Sequence, residues 1–349
     1  MIITLNEKEE RKADKSLYSY QKGAISKIFD SFENSREDYH LLYQLPTGGG
    51  KTVIFSEIVR QYLSNHNKKV LVMTHRIELC KQTSKVLSEF GVDNKVIDSK
   101  ANLDDQSKYS CFVAMVETLN NRLNDDKLDI SGIGLVIIDE AHYNSFTKLF
   151  KFFSNSFILG VTATPLSSNI ELPMTDNYDE LIVGESIQDL IKNEFLASAN
   201  MYSFNVGLTS LVIGANGDYT VKSSEDLYTN NDMLSKLLVS YEEKCKGLKT
   251  LIFNNGINTS LIVYDMFKTA GYDVAHLDNT ASKKERARIL NWFKVTPGAI
   301  LTSVSILTTG FDEPTVESII LNRATKSLTL YYQMIGRAVS YTHLTLPTT

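Results

Sequence analysis

Two short stretches carry side chains that could do chemistry together. The first is Gln44-Leu45-Pro46-Thr47-Gly48-Gly49-Gly50-Lys51-Thr52. Three successive glycines let backbone N–H groups curl around a phosphate chain that a β-carbon would obstruct. Thr47, Gly48, Gly49, Gly50, Lys51 and Thr52 are therefore expected to hold a triphosphate. Lys51 would reach its β- and γ-phosphates, and the Thr52 hydroxyl would ligate Mg²⁺. The second stretch is Asp139-Glu140-Ala141-His142. Asp139 suits a Mg²⁺ held through water, and Glu140 suits orienting and deprotonating an attacking water.

Such residues need strands that end where ligands bind. The apolar run His40-Leu41-Leu42-Tyr43 leads into the glycine loop, and an amphipathic segment from Val53 to about Leu63 follows it. That is strand, loop, helix, the context a phosphate-binding loop requires, and the helix N-terminus adds partial positive charge. Leu45 stands where the general pattern has a further glycine. The continuous run Leu135-Val136-Ile137-Ile138 predicts a strand buried on both faces. It sets Asp139 and Glu140 at a C-terminal strand end, where α/β folds bind ligands. Lys69–Thr74, Tyr109–Val116 and Ile158–Val161 read as further strands, and Leu17 to about Phe32 as a helix. The alternation restarts in the second half. Strands are expected at 249–255, 274–277, 299–303 and 318–323, with helices at 259–269 and 282–293.

A chain of 349 residues holds two or three domains, and 43% hydrophobic residues suffices for their cores. No apolar run approaches the ~18 residues of a membrane span, and no signal pattern opens the chain. Cys80, Cys111 and Cys245 are isolated, which argues against a disulfide framework or a cysteine zinc site and fits a reducing cytoplasm. The net charge of −5 is uneven: residues 169–228 hold ten acidic and two basic side chains. The flanking segments are left mildly positive, so the overall acidity does not argue against a nucleic-acid partner.

Read together, the motifs over about residues 15–339 resemble those of DEAH-type superfamily 2 helicases, closest to the RadD-type bacterial DNA helicases. The matching pieces are Pro46–Thr52, Thr74-His75-Arg76 (motif Ia), Asp139–His142, Thr162-Ala163-Thr164 (motif III), Leu307–Asp312 (motif V) and Gln333–Arg337 (motif VI). The resemblance implies a P-loop NTPase of two tandem RecA-like α/β domains, each a mainly parallel sheet sandwiched by helices. ATP is then expected between Lys51, Thr52, Asp139 and Glu140 on one domain and Gln333 and Arg337 on the other. By the same resemblance Gln21 reads adenine, Gly310 approaches the nucleotide and Asp312 bonds a ribose hydroxyl. Gln333 senses the γ-phosphate or its attacking water, and Arg337 acts as an arginine finger. Thr74, His75, Arg76, Thr308 and Thr309 are implied contacts to a nucleic-acid backbone, sequence-independent and salt-sensitive. The implied activity is ATP-driven helicase or translocase action, with DNA favoured over RNA and no membrane partner. The alternatives are a double-stranded DNA translocase that does not unwind, or an ATP- and nucleic-acid-binding module with little turnover.

The expected organisation is a charged, frayed extension at 1–14, a first RecA-like domain at 15–168, an acidic intermediate segment at 169–228 and a second RecA-like domain at 229–339. Motif VI departs from the family pattern, with Ser340 where a second arginine is usual. Residues 340–349 read as a foreign tail, and the second domain as incomplete, lacking an edge strand of its sheet and one finger arginine.

Overall fold

The computed structural model describes residues 1–5, 17–98, 108–125, 130–167, 173–215, 217–304, 313 and 315–339. Contacts divide the chain into two compact units, one built on Ala13–Leu190 and the other on Met1–Lys12 with Ile191–His343. The first strand in sequence, Ile2–Leu5 (β1), belongs to the second of these.

The first unit is a seven-stranded sheet of Asn94–Ile97 (β4), Cys111–Met115 (β5), Lys69–Thr74 (β3), Ile133–Asp139 (β6), Phe157–Thr162 (β7), His40–Gln44 (β2) and Glu180–Val183 (β8), in that spatial order. Every pairing is parallel. Parallel strands need covered faces, and the period of two sorts their side chains accordingly. Leu41, Tyr43, Val70, Val72, Leu135 and Ile137 face the helices Ser19–Glu33 (α1) and Lys51–Asn65 (α2). Leu42, Leu71, Met73, Val136 and Ile138 face Phe146, Leu149 and Phe153 on the other side. All seven residues of β6 and all six of β7 are buried. Each fully buried aliphatic side chain is worth about 1.5–3 kcal/mol relative to exposure, so the strand ends are held by a stiff platform.

The second unit has the order Val274–Leu277 (β11), Ile300–Ser303 (β12), Thr250–Asn254 (β10), Ser318–Asn322 (β13), β1, Ala199–Tyr202 (β9). β11, β12, β10 and β13 run parallel, and β1 is antiparallel to both of its neighbours. This corrects one expectation. Ile2–Leu5 is not a frayed extension, because Ile2 and Ile3 are 1% and 0% exposed and enter the cores on opposite faces of the sheet. β1 lies beside β13, and β9 continues beyond it. Met1 and Leu321 exchange two hydrogen bonds there, of 3.2 and 2.7 Å.

The acidic intermediate segment is likewise divided. β8 pairs with β2, and the Asp179 carboxylate accepts the His40 N–H at 2.9 Å and Arg36 Nη2 at 2.7 Å. β9 joins the other sheet, and the helix Val221–Tyr228 packs on the helices Asn231–Lys244 and Ile257–Thr269. No helix among the described residues is long and apolar enough to cross a membrane.

Candidate nucleotide site

β2 delivers the chain into the glycine loop. The Leu45 N–H donates to the Thr162 carbonyl at the end of β7, 2.9 Å away, and the Leu45 side chain is fully buried. A β-carbon on Gly49 would lie 2.8 Å from Leu45 Cγ and 3.1 Å from the Pro46 carbonyl oxygen. Leucine at the position where glycine is usual is thus a core residue beneath the loop, and it makes glycine compulsory above it. Gly48 and Gly50 have φ of +84° and +83°, the left-handed region open to glycine. Gly50 caps α2, so the first N–H groups of that helix face the loop with their partial positive charge. Lys51 Nζ donates to the Leu45 carbonyl at 3.2 Å, closing the loop on itself. Thr47 and Thr52 are half-buried on its rim.

β6 ends in Asp139, 7% exposed, whose Oδ1 accepts the Glu140 N–H at 3.0 Å. Burial first, and then the Glu140 charge, raises the Asp139 carboxyl above its usual range, with Lys51 and the Glu140 N–H opposing. Lys51 therefore lies within electrostatic reach of Asp139. Glu140 itself has φ +54°, a left-handed conformation costing a non-glycine residue about 1–2 kcal/mol. The next residue is tied back, Ala141 N–H to the Val161 carbonyl at 3.0 Å. The His142 ring, 1% exposed, places Nδ1 3.0 Å from Thr162 Oγ1 and 3.4 Å from Glu140 Oε2. Burial lowers its pKa first, which favours the neutral ring. Thr162 Oγ1 in turn donates to the Thr164 carbonyl at 2.9 Å. The end of β7 thus holds the glycine loop on one side and the Asp-Glu-Ala-His turn on the other.

α1 also touches the loop. Gln21, which taken alone reads as a helix-surface residue, is 0% exposed, and its Oε1 accepts the Tyr18 N–H at 3.0 Å. The Tyr20 hydroxyl donates to the Gly49 carbonyl at 2.8 Å, and burial pushes its pKa up. Tyr18 and Tyr20 stack with centroids 6.0 Å apart. The sequence reading missed Tyr20 and His142. Their signals were adjacency to Gln21 and membership of the Asp-Glu-Ala-His quartet.

Other candidate residues divide. Thr74 is 0% exposed, and its hydroxyl bonds the Arg76 carbonyl at 3.0 Å and Cys80 Sγ at 3.0 Å. The expected backbone contact from its side chain is corrected: the last residue of a buried strand turns its hydroxyl inward to close the turn. Both His75 ring nitrogens are buried as well. Arg76 is half-exposed at the N-cap of the helix Ile77–Glu89 (α3). Gln333 is 7% exposed on the helix Leu328–Val339, which also carries the backbone of Arg337. Thr308, Thr309, Gly310 and Asp312, and the tail from Ser340, lie outside the described residues.

Among the described residues no cluster of three or more His, Cys, Asp or Glu side chains could hold a metal. The oxygen donors Thr52 and Asp139 fit a hard cation that takes one or two protein ligands and completes its shell with phosphate and water, as Mg²⁺ does.

The second unit gathers a contrasting polar cluster at its strand ends. Asn322 Nδ2 donates to Asn254 Oδ1 at 2.8 Å, and Asn254 Nδ2 to Ser260 Oγ at 3.2 Å. Ser260 Oγ lies 2.9 Å from His276 Nδ1, whose Nε2 lies 2.9 Å from Asp278 Oδ2. The order serine, histidine, aspartate matches a hydrolase triad. Ser260 is 0% exposed, so no substrate reaches its hydroxyl and the chain of bonds is structural.

Comparison with known proteins agrees with this geometry. Residues 14–167 match the family model "Type III restriction enzyme, res subunit", and residues 229–341 match "Helicase conserved C-terminal domain". The chain is 30% identical to the IRC3 protein of Saccharomyces cerevisiae, named as an ATP-dependent helicase, over 94% of this chain and 50% of that protein. It is 23% identical to the type I restriction enzyme EcoAI endonuclease subunit of Escherichia coli, over 93% of this chain and 44% of that one. The chain spans about half the length of these curated relatives. An HsdR subunit fragment of a type I restriction enzyme from Vibrio vulnificus superposes with TM-score 0.67 at 20% identity, over 92% of this chain and 60% of that one. The two units are RecA-like α/β domains in tandem.

Proposed function

We propose that the chain is the ATP-hydrolysing motor of a superfamily 2 helicase of the DEAH type, and that the nucleic acid it moves is DNA. The observation that carries this reading is the end of β7, which hydrogen-bonds both the glycine loop and the Asp-Glu-Ala-His turn. Triphosphate-binding groups and a hydrolytic carboxylate thereby share one rigid support.

In this reading the loop N–H groups and Lys51 bind the β- and γ-phosphates, and Gln21 and Tyr20 frame the base end. Glu140 orients a water and takes its proton as the water oxygen bonds to the γ-phosphorus and the bond to ADP breaks. Thr52, and Asp139 through water, would hold a Mg²⁺ ion, which would supply charge neutralisation at the phosphate oxygens. Gln333 and Arg337 are assigned to the transferring phosphoryl group by their motif alone, as are Gly310 and Asp312 to the nucleotide and Thr308 and Thr309 to the nucleic-acid backbone. DNA is favoured by the RadD-like motifs and by the restriction-enzyme names among the relatives. The latter also favour a second reading, travel along duplex DNA without strand separation.

The test is ATP hydrolysis by this chain and by Lys51→Ala, with single-stranded DNA, duplex DNA or RNA added. DNA-stimulated turnover that Lys51→Ala abolishes is expected. Equal turnover in both proteins, or stimulation by RNA alone, overturns the proposal. Strand-displacement and triplex-displacement assays side by side separate unwinding from translocation.

A further inference from the structure

His75 is a half-buried residue of the first unit, its ring nitrogens shielded, that the nucleotide chemistry leaves without a role. β3 and β6 are neighbours with Met73 opposite Ile138, so the residue after Thr74 leaves its strand at the level of Glu140. The His75 ring lies 4.2 Å from the Tyr143 ring at 32°, and Tyr143 lies 4.3 Å from His142 at 37°. His142 in turn is 3.4 Å from the Glu140 carboxylate. Three rings in contact therefore run from the turn after β3 to the hydrolytic carboxylate. Both His75 nitrogens are buried without a hydrogen-bond partner among the described residues. Such a group calls for an explanation, and a positional role for the ring is one. The neighbouring residue on the same turn is Arg76, half-exposed and suited to a phosphate. Thr74 Oγ1 bonds the Arg76 carbonyl, so a pull on Arg76 acts on the backbone that carries His75. Glu140 sits in a left-handed conformation, where small displacements of its neighbours shift its carboxylate.

We propose that His75 is a positioning residue: through the Tyr143 and His142 rings it sets Glu140, and it makes hydrolysis respond to nucleic acid seated on the turn at Arg76. This rests on the motor reading above. Close-packed rings transmit a displacement because they have no free volume to absorb it. A path drawn through neighbouring residues needs an energetic test, and a mutant cycle supplies one.

The test is the kcat and KM for ATP, with and without saturating oligothymidylate, of His75→Ala, His75→Phe, Tyr143→Leu, Tyr143→Phe and Arg76→Ala. The stimulated kcat is expected to fall about tenfold in His75→Ala and Tyr143→Leu with KM for ATP unchanged, within the range of couplings seen along packed networks. The phenyl variants keep the stack and restore stimulation. Adding Arg76→Ala to Tyr143→Leu costs no further stimulation, because both cut one path. If His75→Ala does not fold, Tyr143→Leu, which retains apolar bulk, carries the same expectation. Full stimulation in Tyr143→Leu overturns the inference alone, as does an equal loss of kcat with and without DNA. A wild-type chain indifferent to every nucleic acid overturns the motor reading, and the inference with it.

Discussion

The two units end their central strands in polar clusters of opposite character. In the first, Lys51, Asp139 and Glu140 bring like and unlike charges together, Glu140 is bent into a left-handed backbone, and glycine is enforced by Leu45. In the second, Asn322, Asn254, Ser260, His276 and Asp278 bond one another in series. The first arrangement stores unfavourable electrostatics and strain, which is useful where a ligand will relieve them. The second spends its polar groups on each other and gains rigidity. One architecture used twice can therefore end its central strands in a reactive cluster in one copy and in a structural cluster in the other.

That contrast can be broken by mutation. Glu140→Gln is expected to lower kcat about 10²–10⁴-fold while leaving the melting temperature near wild type, since it removes a base and no packing. Equal loss of activity from Asp278→Asn would erase the distinction between the clusters. Next in size, Gly49→Ala should destabilise by about 1–3 kcal/mol and raise the KM for ATP, because the new methyl meets Leu45. Adding Leu45→Ala should recover part of the KM effect, and a strictly additive double mutant would show that the loop is not held from below. In the second cluster, Asn254→Ala should cost about 1–3 kcal/mol in urea unfolding by orphaning the Asn322 amide and removing one of the two partners of the Ser260 hydroxyl.

The smallest effect separates the clusters by pH. Burial, and then the Arg76 charge, lowers His75 to about 4 from 6.5. The unfolded chain then binds that proton first, so the first unit should lose stability as pH falls from 6.5 towards 4. Asp278 is held below 3.8: burial raises it, but the Thr280 and His276 hydrogen bonds outweigh that. Its contribution should persist down to 3.8 and fade only as pH falls further. Urea unfolding across pH for His75→Phe and Asp278→Asn checks both windows, and coincident acid profiles would contradict the assignment.

The glycine loop and the Asp-Glu-Ala-His quartet were legible because each is contiguous and its chemistry depends on neighbours in sequence. The flanking strands were legible because β6 and β7 are buried on both faces and read as unbroken apolar runs. What stayed hidden depends on distant partners. The charged run Glu7–Lys12 drew attention from Ile2 and Ile3, whose burial needs β13 and β9. The contact expected of Thr74 came from its motif, whereas the direction of a threonine hydroxyl at a strand end is decided by the positions of Arg76 and Cys80. His142 became visible as a link once Thr162 was in place beside it.

The pairing of β1 with β13 has a consequence for the order of events during synthesis. Met1 and Leu321 are 320 positions apart. At ~5–20 residues per second a ribosome needs roughly 16–64 s to travel between them. Over that interval the first unit's strands have all emerged, while Ile2 and Ile3 wait as exposed apolar residues with an unpaired backbone edge. The β1–β13 pairing cannot form before Leu321 is made, so this edge of the second sheet closes after the strands of the first unit have been synthesised.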